Sequence, residues 1–385
     1  MAPLVKKPFE ERNLHFDRLI GNRKLKWLGQ NTNHIPCHPA VREAMLRCIA
    51  EEEFHIYAPP CGIEELRELI LEDLGLSGDE FAVLVTDGAI EALYHATRTW
   101  LGQGDEFIVT DPGWLWPHAF AKAAGARVTT LPIYDPASHY RLAPEALAAA
   151  ASAETKAIYL VDPNNPLGSC QTADEIEAIA GIARKAGALL IHDCTYRHFA
   201  ANHTLAARFY PEGTITTYSF SKWLGIAGLR CGAVIANRDL IEQLAAAPPN
   251  NLGSSILAQR AAIAGLRHKA EWLPQVLAIA GANQRRIAAA VQGIDGLTLP
   301  VYPSNGNFMT IDVTGAGISP DALAAAYLEH DIMIRQASYH SRAFADRFIK
   351  VGTTVPAEWV EDFCVLLPAL VAQVAGTRAA AAGVY

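Results

Sequence analysis

Lys222 stands at the end of an apolar run in SFSKWLGIAGLRCG (219–232), with Ser219 and Ser221 just before it and Arg230 downstream. An ammonium near the end of an apolar strand either reaches back to water or loses its charge. A desolvated, neutral lysine is a nucleophile, and amines of that kind form Schiff bases with aldehydes. The two serine hydroxyls and the fork-shaped guanidinium of Arg230 suit the oxygens of a phosphate.

Further polar groups sit where other apolar runs stop. In TDGAIE (86–91), Gly88 and Ala89 let the backbone come close to a ligand. A helix start at Ala89 and Ile90 offers free N–H groups to a phosphate; an ordinary strand–helix turn has the same sequence signature. Trp114, in DPGW (111–114), is a packing tryptophan or a flat face for a flat aromatic ligand. Asn165, in DPNNPLG (162–168), is a turn residue or donates its amide N–H to a ligand oxygen. Asp193, in IHDCTY (191–196), ends an apolar run, where a carboxylate is expensive to bury unpaired. It is a helix N-cap or the partner of a protonated ring nitrogen, with Tyr196 close behind. An aldehyde on a protonated pyridine ring, with a ring oxygen and a phosphate arm, would use all of these groups together. Pyridoxal 5′-phosphate is that ligand.

The elements that must position these groups are short and β-branched: 81–86, 106–110, 127–131, 156–161, 188–193, 214–219 and 231–236. Helical patterns such as IEALYHATRTWL and ADEIEAIAGIARKAG lie between most of them. Strands without polar alternation, separated by helices, predict a mostly parallel sheet covered on both faces. Ligands of such sheets bind at the carboxyl ends of the strands, where the polar groups above lie. From Pro248 the pattern changes: PPNN (248–251) breaks the chain, and one long helical stretch is predicted over 254–291. A smaller α+β region follows from LTLPVYPSNGNFMTIDV, and the tail AGTRAAAAGVY is low-complexity.

Taken in order, these stretches resemble the fold-type-I, class I/II aminotransferases, and within them the histidinol-phosphate aminotransferase branch, over nearly the whole chain. SFSKWLGIAGLR is similar to the family's S-x-S-K-x-x-G-x-x-G-x-R. The resemblance implies that Lys222 forms a Schiff base with pyridoxal 5′-phosphate and that Ser219, Ser221 and Arg230 hold its phosphate. DGAIEAL looks like the family's phosphate loop, with Gly88, Ala89 and Ile90 there, although Ile90 replaces a residue that is more often polar. Trp114 matches the ring-stacking aromatic, and Asn165 and Tyr196 match the donors to the ring oxygen. Asp193 matches the partner of the ring nitrogen. YAPPCGIEELR is similar to Y-x-x-x-x-G-x-x-x-L-R, in which Tyr57 would reach the phosphate of the neighbouring subunit, so a homodimer is implied. The implied fold is a seven-stranded, mostly parallel sheet in a large domain (46–250). An N-terminal arm and substrate loop (1–45) would pack with a small α+β domain, which is joined by a linking helix (251–385).

The substrate end departs from the family. FIKVGT (348–353) carries Lys350 where an arginine fork for the substrate carboxylate is expected, and a lysine offers only a point charge. Either Lys350 still holds a carboxylate, or the substrate presents none there. Arg335, in IMIRQ, matches an arginine for a distal anion, while Arg342 and Arg347 read as surface residues. Asn33, in QNTNHIP, falls in a stretch resembling the family's N-E-N-P substrate loop, with Thr32 and His34 departing from it.

An aminotransferase acting on an amino acid or amino-alcohol phosphate is therefore expected, with small-molecule amino donors and keto acid acceptors. A decarboxylase or lyase of the same fold is the alternative. A non-enzymatic sensor behind a DNA-binding domain is a third reading; no segment of helix-turn-helix size precedes the fold in this sequence. The net charge of −8 gives no broad basic field for nucleic acid. Seven scattered cysteines without C-x-x-C spacing suggest reduced cytoplasmic thiols and no metal site, and no apolar run reaches membrane-spanning length.

Overall fold

Alternate side chains of the run 155–161 go to opposite sides of a sheet, and both sides are covered. Ala157, Tyr159 and Val161 pack with Ala92, Leu93 and Ala96 of the helix Ala89–Trp100. Ile158 and Leu160 pack with Ile176, Ile179 and Ala183 of the helix Ala173–Ala186. A strand buried on both faces cannot afford polar alternation, which accounts for the unbroken apolar runs. The computed structural model describes residues 8–247 and 252–376. The expected break at 248–251 and the end of the tail lie outside the described residues.

Twelve strands are described. After β1 (Lys26–Trp27) come β2 (Phe81–Thr86), β3 (Glu106–Asp111), β4 (Arg127–Pro132), β5 (Thr155–Val161), β6 (Leu189–Asp193), β7 (Thr214–Ser219) and β8 (Gly232–Asn237). These last seven form one sheet in the order β2-β8-β7-β6-β5-β3-β4. β8 runs antiparallel to both β2 and β7, and the other pairings are parallel. The carboxyl ends of β2, β3, β5, β6 and β7 therefore emerge on one edge. A second layer of core on the β2–β8 side joins Phe81, Val83, Ala233 and Ile235 to Leu66 and Ile70 of the helix Glu64–Leu74.

The smaller part has β9 (Phe308–Asp312), β10 (Ile332–Met333), β11 (Arg335–Gln336) and β12 (Phe348–Gly352). β12 lies between β11 and β9 in an antiparallel sheet, and β1 pairs with β10. The N-terminal segment packs here, with Leu19 and Leu25 against Met333.

The single long helix expected over 254–291 is two helices, Ile256–Arg267 and Lys269–Gln292. His268 leaves helical dihedrals at φ −104° and ψ 13°. Its ring stacks on His38 at 4.5 Å and meets Glu271 Oε1 at 3.0 Å. The first of the two helices buries Ala258, Ala261 and Ala262 in the same core as Phe81 and Val83, so by packing it goes with the large sheet. The helix Pro39–Ala50 likewise runs across position 45, where the arm was expected to end. Among the described residues no helix is long and apolar enough to cross a membrane.

Candidate active site

A cavity of about 320 Å³ opens at the carboxyl edge of the sheet. Trp114, Asn165, Asp193, Tyr196, Ser219, Ser221, Lys222 and Arg230 all line it, as do Ala89 and Ile90, Arg335 and Lys350. Most arrive from strand ends, and Lys350 from the middle of β12. Asp193 closes β6, Ser219 closes β7, and Trp114 and Asn165 follow β3 and β5 within a short turn.

The carboxylate of Asp193 is buried at 2% exposure. Its Oδ1 accepts from the Thr195 backbone N–H at 3.1 Å, the Thr195 hydroxyl at 2.6 Å and the Thr217 hydroxyl at 2.8 Å. Its Oδ2 accepts from the Tyr159 hydroxyl at 2.9 Å. Among the described residues no cation lies within ion-pair distance of it. A buried anion held by neutral donors alone is set up for a cationic ligand.

Lys222 donates to the Gln30 carbonyl at 3.3 Å. Burial, with the nearby Arg230 guanidinium, brings its ammonium down to about 8; Asp193 acts in the opposite direction but does not prevail. The phosphate end is assembled from separate pieces. Gly88 caps the helix Ala89–Trp100 at φ 84°, and no side chain caps that helix start. A Cβ at Gly88 would come within 2.4 Å of the Arg230 Nη2, so only glycine admits the guanidinium there. Arg230 is in turn steadied by the carbonyls of Ala227 at 2.8 Å and Asp87 at 3.1 Å. Ser219 Oγ accepts from the Ser221 backbone N–H at 3.2 Å.

Two cations stand at the small-domain side. Arg335 and Lys350 are register partners on β11 and β12. Lys350 Nζ donates to Asn165 Oδ1 at 3.1 Å and lies 5.1 Å from the Phe308 ring centre. Asn31 Nδ2 donates to the same oxygen at 3.4 Å, so the Asn165 oxygen faces both donors and its NH₂ turns elsewhere. Burial first, then the charges of Lys222 and Arg335, hold the Lys350 ammonium well below the usual lysine range. The Arg335 guanidinium lies 4.5 Å from the Tyr339 ring centre.

Two of the expected residues lie away from the cavity. Asn33 is not in its wall: its Nδ2 donates to the Trp223 carbonyl at 3.0 Å, and its Oδ1 accepts from the Ile35 N–H at 2.9 Å. It ties the loop to the segment after Lys222. Asn31, two positions earlier, reaches the cavity instead. It sits at φ 54°, and its Nδ2 donates to the Tyr196 hydroxyl at 3.0 Å. Its Oδ1 is buried without a partner among the described residues. An asparagine tolerates that backbone region, but nothing in QNTN distinguishes which asparagine turns inward. Tyr57 is 79% exposed and outside the cavity of its own chain. Arg342 and Arg347 are exposed. Tyr159, Thr195, Thr217 and His340 were not singled out in sequence; Tyr159, Thr217 and His340 have partners that are close only in the fold, whereas Thr195 lies two residues from Asp193.

The chain matches the family described as aminotransferase class I and II over residues 23–365. The chain belongs to this family. It is 30% identical over 293 residues to the aspartate/prephenate aminotransferase of Thermus thermophilus, covering 74% of this chain and 75% of that protein. It is 29% identical over 323 residues to the histidinol-phosphate aminotransferase of Maricaulis maris, covering 80% and 83%. Among solved structures, N-succinyldiaminopimelate aminotransferase from Mycobacterium tuberculosis superposes with a TM-score of 0.83 at 25% identity, over 96% and 98% of the two chains. This class I/II aminotransferase uses pyridoxal 5′-phosphate as its cofactor, as the family does. The residues present fit that group. Among the described residues a buried carboxylate has no cation within ion-pair distance, a lysine amine is depressed towards neutrality, and a glycine cradle holds an arginine beside a helix start without a side-chain cap.

Proposed function

We propose that this aminotransferase moves the amino group of an anionic amino acid or amino-alcohol phosphate to a keto acid, with the cofactor carried on Lys222. The observation that carries the reading is Asp193, a carboxylate with four hydrogen bonds and, among the described residues, no cation within ion-pair distance. Asp193 would hold a proton on the ring nitrogen, Asn165 and Tyr196 would donate to the ring oxygen, and Trp114 would cover the ring face. Ser219, Ser221, Arg230 and the amides of Ala89 and Ile90 would hold the phosphate. Bound there, pyridoxal phosphate supplies the electron sink for bond breaking at the substrate Cα. Lys222 Nζ, once released, would carry a proton from that carbon to the cofactor carbon that receives the amino group, and would make the reverse transfer in the second half of the cycle. Arg335 and Lys350 attract and orient the anionic end of the substrate.

Incubating the holoenzyme with pooled amino donors tests this reading. Pyridoxamine phosphate should accumulate and be discharged by keto acids; release of CO₂ without pyridoxamine would favour the decarboxylase.

The depressed ammonium gives a pH dependence. The neutral amine is the nucleophile, and at about 8 its neutral fraction rises steeply between pH 7 and 9. Capture of pyridoxal phosphate by cofactor-free protein should therefore accelerate with pH and level off about one unit above that value. A rate still climbing towards the ordinary lysine range of about 10.4 would contradict the depressed value.

Lys350→Ala should lower kcat/KM by about 1.5–3 kcal/mol, roughly ten- to a hundredfold, as expected for a lost charge-assisted hydrogen bond. Lys350→Arg should recover part of this by restoring a fork. Unchanged kcat/KM in Lys350→Ala would remove it from substrate binding.

A homodimer belongs to the same proposal. Leu46, Ile49, Phe54, Ile56 and Tyr57 are all at least half exposed within one short stretch, an apolar patch of the kind that a partner covers. In that arrangement Tyr57 would serve the neighbouring site.

A further inference from the structure

Residues 29–32 form part of the cavity wall. Their backbone is held by the smaller part of the molecule. The Asn31 carbonyl accepts from Asn307 Nδ2 at 2.9 Å, and the Thr32 carbonyl accepts from the Thr354 hydroxyl at 3.2 Å. Asn31 itself sits at φ 54° with 2% of its surface exposed, and its side chain reaches two residues at the carboxyl edge of the large sheet.

Asn31 Nδ2 carries two hydrogens and has two acceptors, the Tyr196 hydroxyl oxygen at 3.0 Å and Asn165 Oδ1 at 3.4 Å. Its neighbours fix which way this amide faces. Lys350 Nζ donates to Asn165 Oδ1 at 3.1 Å, so an oxygen stands there, and only an NH₂ group can meet it. The Tyr196 oxygen accepts from Asn31 and keeps its own proton to give. Burial pushes the Tyr196 phenol above its usual range, with the Asn31 bond acting the other way without prevailing, so the hydroxyl stays protonated. Asn165, accepting on its oxygen, keeps its NH₂ to give. One amide therefore occupies the acceptor side of both residues expected at the ring oxygen, and leaves their donor sides for the cavity that both of them line.

We infer that Asn31 is a positioning residue for the cofactor: its side-chain amide directs the Tyr196 hydroxyl proton and the Asn165 amide N–H together onto the ring oxygen. The inference rests on the reading that Lys222 carries pyridoxal phosphate in this cavity. Donors to the ring oxygen take up part of its negative charge. They thereby lower the proton affinity of the neighbouring nitrogen that joins the cofactor to Lys222. A hydroxyl that also accepts a hydrogen bond is polarised into a better donor, so Asn31 strengthens the Tyr196 bond as well as aiming it.

The protonation midpoint of that nitrogen is read from the cofactor absorbance of the holoenzyme against pH, a quantity independent of turnover. Asn31→Gly removes the amide and suits the backbone at φ 54°. It should raise the midpoint by about half a unit to one unit, the size of one neutral hydrogen bond. Asn31→Asp keeps the size, loses both N–H donors and should shift the midpoint the same way. Tyr196→Phe should raise it at least as far. In that background Asn31→Gly should add less than about half of its single effect, because the two residues act largely through one bond. An asparagine that merely braced the loop would lower thermal stability and leave the midpoint in place. An unmoved midpoint in both Asn31 variants, full additivity with Tyr196→Phe, or an unaltered holoenzyme whose absorbance does not titrate overturns the inference. Borohydride reduction is run on the same samples. An adduct on Lys222 with an unmoved midpoint removes the role of Asn31 alone, and no adduct on Lys222 overturns the cofactor reading and this inference with it.

Discussion

Lys222→Ala is expected to lower kcat by roughly ten-thousandfold or more, since it removes the covalent anchor and the proton carrier together. The variant should fold, because among the described residues Lys222 makes a single hydrogen bond, to the Gln30 carbonyl, and its removal relieves the cost of a partly buried amine. It should also retain pyridoxal phosphate without a covalent bond, through Asp193, Asn165 and the phosphate cradle. Its absorbance should then be that of the free aldehyde. Single-turnover measurements with added amines separate the lost proton transfer from weakened binding. Turnover within tenfold of the unaltered protein would mean that another base does the work.

Asp193→Asn is expected to have the second largest effect. The carboxylate is held by Tyr159, Thr195 and Thr217, so the amide would enter a site arranged for an acceptor with negative charge. Without that charge the ring nitrogen loses its proton and the electron sink weakens. A barrier increase of about 4 kcal/mol, close to a thousandfold in kcat, follows from three tenfold steps of ~1.4 kcal/mol each. Tyr159→Phe leaves the charge and removes one of four donors, so its effect should be nearer tenfold. Steady-state kinetics of the two variants provide the check. Equal losses would show that Tyr159 matters for more than orienting the carboxylate, and near-normal turnover in Asp193→Asn would show that another group manages the ring nitrogen.

The chemistry-bearing residues were legible because this architecture delivers them at strand ends. β6 and β7 are short strands, buried almost throughout, that end in Asp193 and Ser219. Most strands of the large sheet were readable because they are buried on both faces, while the edge strand β4, RVTTLP, is half exposed and stands out by its β-branched residues. The two-residue strands β1 and β10 have no period to read, and their pairing joins Lys26 to Ile332 across most of the chain. The interruption at His268 was hidden because the apolar pattern continues through it. Asn31 and Asn33 lie in one loop of similar composition, and only the positive φ at Asn31 directs one of them to Tyr196.

The central claim is that Lys222 carries the cofactor. Reduction of the holoenzyme with borohydride, followed by proteolysis and mass spectrometry, tests it most directly. The account expects one pyridoxyl adduct, on Lys222 in the peptide containing SFSKWLGIAGLR. An adduct on Lys350 or on any other lysine, with Lys222 unmodified, would contradict it.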